Sequence, residues 1–462
     1  MLQSVLRALQ LPDLRRRIVF TLAMLLLFRL IAHITVPNID PAALSDLQNA
    51  LSDPNQLQLA QLLNIFSGGA LRNLSVAAMG VYPYITAQII IQLLTPLIPW
   101  LDEMRKEGEQ GRVRMNQITF ILTIPMSFLQ AYGQTITLER SLGVGQGLFR
   151  TPFDIVNNFL PTFTILVSMV AGTMLLIWLG EQIQERGIGN GISMIIFAGI
   201  VSRLPSMIIQ AFTSVQLGGV ETIIGMVAFV AIALLTIVGI ILMHEGQRRV
   251  PVQYAKRVRG NRVYGGQSSH IPLKVNMAGM IPLIFAQSII IFPATVASYG
   301  CPEQVAPAGA TLLKQIACGV YQTFSPAYSS GTSLYTRTGG ALIYSVSLFI
   351  LVYFFTYFYT KVIFDQQNIP DTLQRNSGFI PGIRPGKRTE EYLDAVVSRI
   401  TRAGAVFLGV VAVLPFLTQL ITGVPIGLGA TALLIVVGVA VDTMRQIEAQ
   451  LVMRNYEGFI SR

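Results

Sequence analysis

Four stretches carry residue types that could do chemistry. At His244 the sequence "HEG" opens like a zinc-binding His-Glu-x-x-His helix, but no second histidine stands at the fourth position after the first. "GIRPGKRT", from Gly382, contains the Gly-Lys pair of a phosphate-cradling loop, yet its glycines are wrongly spaced and Arg388 stands where a magnesium-binding serine or threonine belongs. The glycine-rich "GVGQG" (143–147) and "GIGNG" (187–191) lack the strand and helix context of a dinucleotide site. Two cysteines, Cys301 and Cys318, cannot build a structural zinc site by themselves. The expectation is therefore no catalytic constellation, no metal or nucleotide site, no cofactor and no enzymatic activity.

The remaining polar residues of interest lie inside apolar stretches, which turns attention to the elements that hold them. Hydrophobic residues make up 52% of the 462-residue chain and charged residues 12%, about half the charged share of a soluble domain. Ten apolar runs are long enough to cross about 30 Å of hydrocarbon: Ile18 to Val36, Ser75 to Ile98, Asn116 to Gln134, Asn157 to Leu179, Ile192 to Ala211, Thr222 to Met243, Met277 to Ala297, Ala341 to Thr360, Ala403 to Ile421 and Ala430 to Met444. The chain reads as an all-α polytopic membrane protein. The first run contains Arg29 and is followed by no small-residue cleavage site, so it is expected to stay as a span. His33 follows Arg29 by four residues and would share its helix face. A costly intramembrane arginine normally faces a polar interior, which suggests a water-filled cavity.

Most of the 33 lysines and arginines fall in segments on one side if both termini are cytoplasmic, and that orientation is the expected one. The net charge of +10 is then concentrated on one face, able to meet anionic lipid or an acidic partner. Two long cytoplasmic segments, 244–271 and 361–402, mix basic residues with Tyr, Gly and Pro and read as ordered docking loops. Both cysteines fall in the long outer loop, where a disulfide between Cys301 and Cys318 is expected because that compartment is commonly oxidising. Ten spans divide into halves at 1–215 and 216–462, and five spans per half would make the second half an inverted copy of the first's arrangement.

Pro83, Gly189, Gly191, Pro272 and Pro282 mark expected breaks or kinks. The stretch Leu62 to Leu74 reads as a half-helix, too short and too broken to cross the membrane, and it is expected to fold into a cavity. Ile85 and Ile89, like Ile192 and Ile196, are one helical turn apart on one face. Such pairs ordinarily pack or face lipid, so spacing alone assigns them no role. At this point a small-solute transporter fits as well as a channel, while an intramembrane hydrolase lacks its nucleophile or metal.

Seven ordered segments go further: "SGGALRNLSVAAMGVYPYITAQIIIQLLTPLIP", "KEGEQGRVRMNQIT", "GIGNGISMIIFAGI", "QRRVPVQYAKR", "IPLKVNMAGMIPLIFA", "GFIPGIRPGKRTEEYLD" and "LLIVVGVAVDTMRQIEAQLVMRNYEGF". In order and spacing the chain, from about Leu9 to Phe459, resembles bacterial SecY, the channel-forming subunit of the protein-conducting translocon. The resemblance implies ten transmembrane helices in two inverted five-helix halves forming an hourglass. It implies a channel that translocates unfolded polypeptides and releases apolar segments sideways into lipid. By that resemblance Leu62 to Leu74, with Leu62, Phe66, Gly68, Gly69, Arg72 and Leu74, is a plug. An aliphatic ring of Ile85, Ile89, Ile192, Ile196, Ile284 and Ile435 closes the pore by excluding water. The lateral gate lies between the second and seventh spans, with Thr86, Gln92, Asn276, Gln287 and Ser288 as candidate polar links across it. Arg248, Arg249, Lys256 and Arg384 are the implied docking residues for the ribosome or the motor ATPase SecA. SecE-like and SecG-like small subunits, signal-bearing precursors and membrane lipids are the other implied partners. The membrane is a bacterial plasma membrane or a thylakoid-type one.

Overall fold

The computed structural model describes residues 10–52, 64, 67–141, 148–154, 157–206, 208–209, 220–254, 257–259, 262–264, 268–300, 311–324, 334–375, 378–422 and 430–460. The chain is mostly helical. The N-terminal half of the sequence gives α1 (Pro12–Ile31), α2 (Pro41–Ser52), α3 (Tyr82–Leu94), α4 (Pro99–Lys106), α5 (Glu109–Ser141), α6 (Phe159–Arg186) and α7 (Gly191–Val201). The rest gives α8 (Val220–Glu245), α9 (Ile281–Gly300), α10 (Leu312–Phe324), α11 (Leu334–Gln366), α12 (Ile369–Arg375), α13 (Lys387–Thr422) and α14 (Ala430–Ile460).

Each of the ten apolar runs overlaps one of these helices. Four helical segments among the described residues, Phe159–Arg186, Ile223–Glu245, Leu342–Arg375 and Lys387–Thr418, are both long and apolar enough to cross a membrane, and a fifth is added if α3 and α4, bent by 98°, count as one span. Several helices keep an apolar face exposed among the described residues. On α8, Val227, Leu235 and Leu242 are 65%, 75% and 67% exposed. A helix so apolar and so little covered is stable when lipid or another subunit surrounds it.

Local chemistry sets several boundaries differently from the sequence expectation. The second run was expected to be helical from Ser75, but 75–81 is a run of turns and α3 begins only at Tyr82. Ser75 instead bridges to Thr35, and Val76 donates to the Ile34 carbonyl. Pro83 sits in the first turn of α3, where its missing N–H costs no helical bond, so it starts the helix and does not kink it. Pro282 likewise falls in the first turn of α9, and Pro272 lies in a strand, so neither breaks a span. At the start of α7, Asn190 accepts from the Ser193 N–H, an N-cap that allows a helix to begin abruptly after glycines. α1 ends at Ile31, so His33 lies past the helix, exposed, with its Nδ1 2.7 Å from the Arg29 carbonyl; it does not share a helical face with Arg29.

The fold is not all-α. The loop after α8 forms β1 (Gln247–Tyr254), β2 (Arg257–Arg259), β3 (Arg262–Tyr264) and β4 (Ser268–Lys274), and the loop after α12 adds β5 (Gly378–Phe379). β1 pairs antiparallel with β4 from Gln247↔Lys274 to Gln253↔Ser268, and on its other edge with β5 through Gln253↔Phe379 and Tyr254↔Gly378. β2 and β3 form a separate hairpin. Within β1, Val250 and Val252 point into a cluster with Leu273, Phe364, Leu373, Ile380 and Leu393, while Gln247, Arg248 and Arg249 stay exposed. That alternation is what a sheet with one packed face requires, and it holds the two long loops together over the ends of α11 and α13.

The "HEG" motif also finds its role here. His244 Nε2 lies 3.0 Å from Asp442 and Glu245 is 2.8 Å from Arg445, so both residues tie the end of α8 to α14.

Candidate functional site

The six isoleucines come from four helices: Ile85 and Ile89 from α3, Ile192 and Ile196 from α7, Ile284 from α9 and Ile435 from α14. Five of them are buried in a single hydrophobic cluster and Ile192 packs against it. Ile435 is 1% exposed and none of the five exceeds 8%. Branched aliphatic groups meeting here bring no hydrogen-bonding atom, so the cluster offers water and polar solutes no partner.

Ala70 and Ala77 belong to the same cluster, which places the segment before α3 directly against it. Of the expected plug residues, Leu62 and Phe66 lie outside the described residues; Gly68, Gly69, Arg72 and Leu74 lie within them. The described part is not the helix expected. Residues 67–74 form consecutive turns, and Gly68, Gly69 and Leu74 have φ of 69°, 87° and 40°. Left-handed residues cannot continue a right-handed helix, and glycine tolerates them without a side-chain clash. The turns are closed by Gly69 N–H to the Asn64 carbonyl at 2.8 Å, Leu71 N–H to Ser67 Oγ at 3.2 Å and Arg72 N–H to Asn64 Oδ1 at 3.1 Å. Val36 N–H donates to the Leu74 carbonyl and Asn73 Nδ2 to the Ala32 carbonyl, so the end of the segment is pinned just beyond α1. Arg72 is exposed.

The candidate gate residues separate into groups. Ser288 on α9 lies beside Tyr82 at the start of α3, and its hydroxyl donates to the Ile284 carbonyl at 2.8 Å. Thr86 donates to the Tyr82 and Pro83 carbonyls and accepts from Gln130 Nε2 at 3.0 Å, so its side-chain partner is on α5 and not on α9. Gln92 lies beside Tyr359 on α11. Gln287 is 6% exposed with a buried Oε1, and Asn276 has a buried Oδ1; neither oxygen has a partner among the described residues. Tyr82 was not singled out in the sequence, although it stands in the same "YPYI" as Ile85.

On the other side of the cluster, Arg248 and Arg249 are exposed on β1, and Lys256 lies outside the described residues. Arg384 is exposed between Gly382 (φ 82°) and Gly386 (φ 100°). Its carbonyl accepts from Thr389 Oγ1 at 3.0 Å, while Ile380 and Ile383 on the same turn pack into the cluster beneath the sheet. The loop thus has an apolar anchor and a displayed guanidinium. Between α9 and α11, Cys318 on α10 is buried and disulfide-bonded; Cys301 lies outside the described residues.

The SecY family model matches residues 75–444. The protein translocase subunit SecY of Thermotoga maritima is 42% identical over 465 residues, covering 100% of this chain and 98% of the relative. A solved SecY channel, described as one whose plug domain stabilises the closed state of the translocation channel and maintains a membrane seal, superposes with a TM-score of 0.62 at 17% identity, covering 95% of this chain and 92% of that one. Sec61 from a canine ribosome-channel complex of the endoplasmic reticulum superposes with a TM-score of 0.57 at 18% identity, covering 95% and 93%. With its family model matching residues 75–444 and a curated relative matching end to end, the chain belongs to the SecY family of protein translocase subunits.

Proposed function

We propose that this translocase subunit is the conducting channel itself, with ten spans in two inverted halves, 1–215 and 216–462, arranged as an hourglass whose waist is the isoleucine cluster. The observation that carries the reading is the convergence of Ile85, Ile89, Ile192, Ile196, Ile284 and Ile435 from four helices onto one cluster, with Ala70 of the 62–74 plug against it. An aliphatic waist bars ions by dewetting yet deforms around any side chain, because it makes no directional demand. Apolar segments leave sideways between α3 and α9, where Tyr82 and Ser288 meet.

The driving force comes from a partner. Arg384, Arg248, Arg249 and Lys256 form the docking surface for SecA or a ribosome, since a planar guanidinium pairs bidentately with carboxylate or phosphate. Support for a ribosome comes from the similar Sec61 channel, which was solved in a ribosome complex. SecE-like and SecG-like subunits complete the assembly and cover apolar faces such as that of α8. The membrane is a bacterial plasma membrane with both termini cytoplasmic, consistent with the Thermotoga maritima relative and the basic face.

A precursor arrested in mid-translocation tests the waist. Photoreactive residues at positions 89, 196 and 435 should each crosslink to it. Crosslinks confined to lipid-facing positions such as 235 would refute the assignment.

A further inference from the structure

The turn at Gly68 and Gly69 rests on α7 by backbone against backbone. A Cβ built on Gly199 would lie 2.4 Å from the Gly68 Cα, and one built on Gly68 would lie 2.7 Å from the Gly199 Cα and 2.8 Å from Phe28 Cζ on α1. No side chain fits at either glycine while the turn is seated. Contact of this kind has no interdigitating knob, so the turn can lift away without rotamer changes. From α1, Arg29 Nη1 donates to the Gly68 carbonyl at 3.0 Å, a directional restraint on the turn itself, in addition to the bonds that pin the end of the segment beyond α1. The stem of Arg203 covers the neighbouring glycine, with its Cδ 3.7 Å from a Cβ built on Gly69.

We propose that Gly199 and Arg29 form a seat and latch for the turn at 67–74, with Gly199 admitting the turn and the Arg29 guanidinium fixing it in the closed position. Arg29 is a positioning residue here, and the proposal rests on the plug reading above. A partly buried arginine in an apolar span needs an acceptor, and the Gly68 carbonyl supplies one only when the plug is seated. At the turn itself, closure is then held by a charge-assisted hydrogen bond on a smooth backbone contact, so the turn can lift while the end of the segment stays pinned beyond α1.

The test places a reporter thiol at Ser67, which is buried and hydroxyl-bearing, so Ser67→Cys is nearly isosteric. The native cysteines are left oxidised. Full-length protein in proteoliposomes is labelled from outside with a membrane-impermeant maleimide. Arg29→Gln should raise the labelling rate about ten- to a hundredfold, the factor expected for losing a hydrogen bond to a charged group. Gly199→Ala and Gly199→Val should raise it in that order. Rates within twofold of the parent for Arg29→Gln and Gly199→Ala, in protein with unchanged Tm, would overturn the latch. Ion leak on deleting 62–74 is measured separately and reports on the plug reading, so either reading can fail alone.

Discussion

Removing the Tyr82 hydroxyl should ease sideways opening of the channel. Tyr82 on α3 lies beside Ser288 on α9 across the proposed gate, where the two hydroxyls can hydrogen-bond, and Ser288 is held in place by its own bond to the Ile284 carbonyl. Membrane double-mutant cycles put such an interhelical bond at about 0.6 kcal/mol on average and about 1.7 at most. Tyr82→Phe should therefore shift the closed-to-open ratio by roughly 3- to 18-fold. The ring stays and only the oxygen goes, so packing against α9 is retained. The assay is the insertion efficiency of precursors whose signals form a graded hydrophobic series, read in proteoliposomes. Weak signals should gain most from Tyr82→Phe, because strong ones already open the gate. Ser288→Ala should act in the same direction, and the double variant should add little beyond either single one. Equal dependence on signal hydrophobicity in all four proteins, or fully additive effects, would refute the link.

Three further outcomes follow from the structure. Arg384→Glu should abolish SecA-driven translocation without altering Tm, whereas Gly382→Ala and Gly386→Ala should each weaken it by straining a left-handed residue by about 1–2 kcal/mol; native activity in the glutamate variant would remove Arg384 from docking. Ile435→Asn places an amide in the aliphatic cluster, where burial costs about 1–3 kcal/mol unless water follows it in, and single-bilayer recording should show increased idle ion conductance; an unchanged conductance would argue that Ile435 does not line the waist. Denatured, unreduced protein should show no free thiol by mass-resolved alkylation, since Cys318 is disulfide-bonded; two free thiols would contradict the pairing of Cys301 with Cys318.

What could be read from the sequence follows from how each feature is encoded. Membrane helices are written as contiguous hydrophobicity, so each apolar run located a helix, although the turns before Tyr82 shortened the second. The sheet formed by the two long loops was not legible. β1 and β5 pair by backbone hydrogen bonds between Gln253, Tyr254, Gly378 and Phe379, loops far apart in sequence, and that pairing leaves no periodic trace. The loops' mixture of Gly, Pro and Tyr signalled order without indicating strands. The isoleucine cluster was legible only through family resemblance, because isoleucine pairs at helical spacing are ordinary in a lipid-facing helix. The turns at Gly68 and Gly69 were masked by a helix-length segment, although two adjacent glycines are themselves a reason to doubt a regular helix there. Tyr82 and Gly199 gained meaning only from what stands opposite them in space.

The most direct test of the channel reading uses proteoliposomes containing this protein, a SecE-like subunit and SecA, supplied with ATP and a precursor bearing a hydrophobic signal. Protease protection of the precursor is the measurement. The channel account predicts protection that requires ATP and changes when 62–74 is deleted. Absence of protection in folded, correctly oriented protein, together with saturable uptake of a small solute, would contradict it.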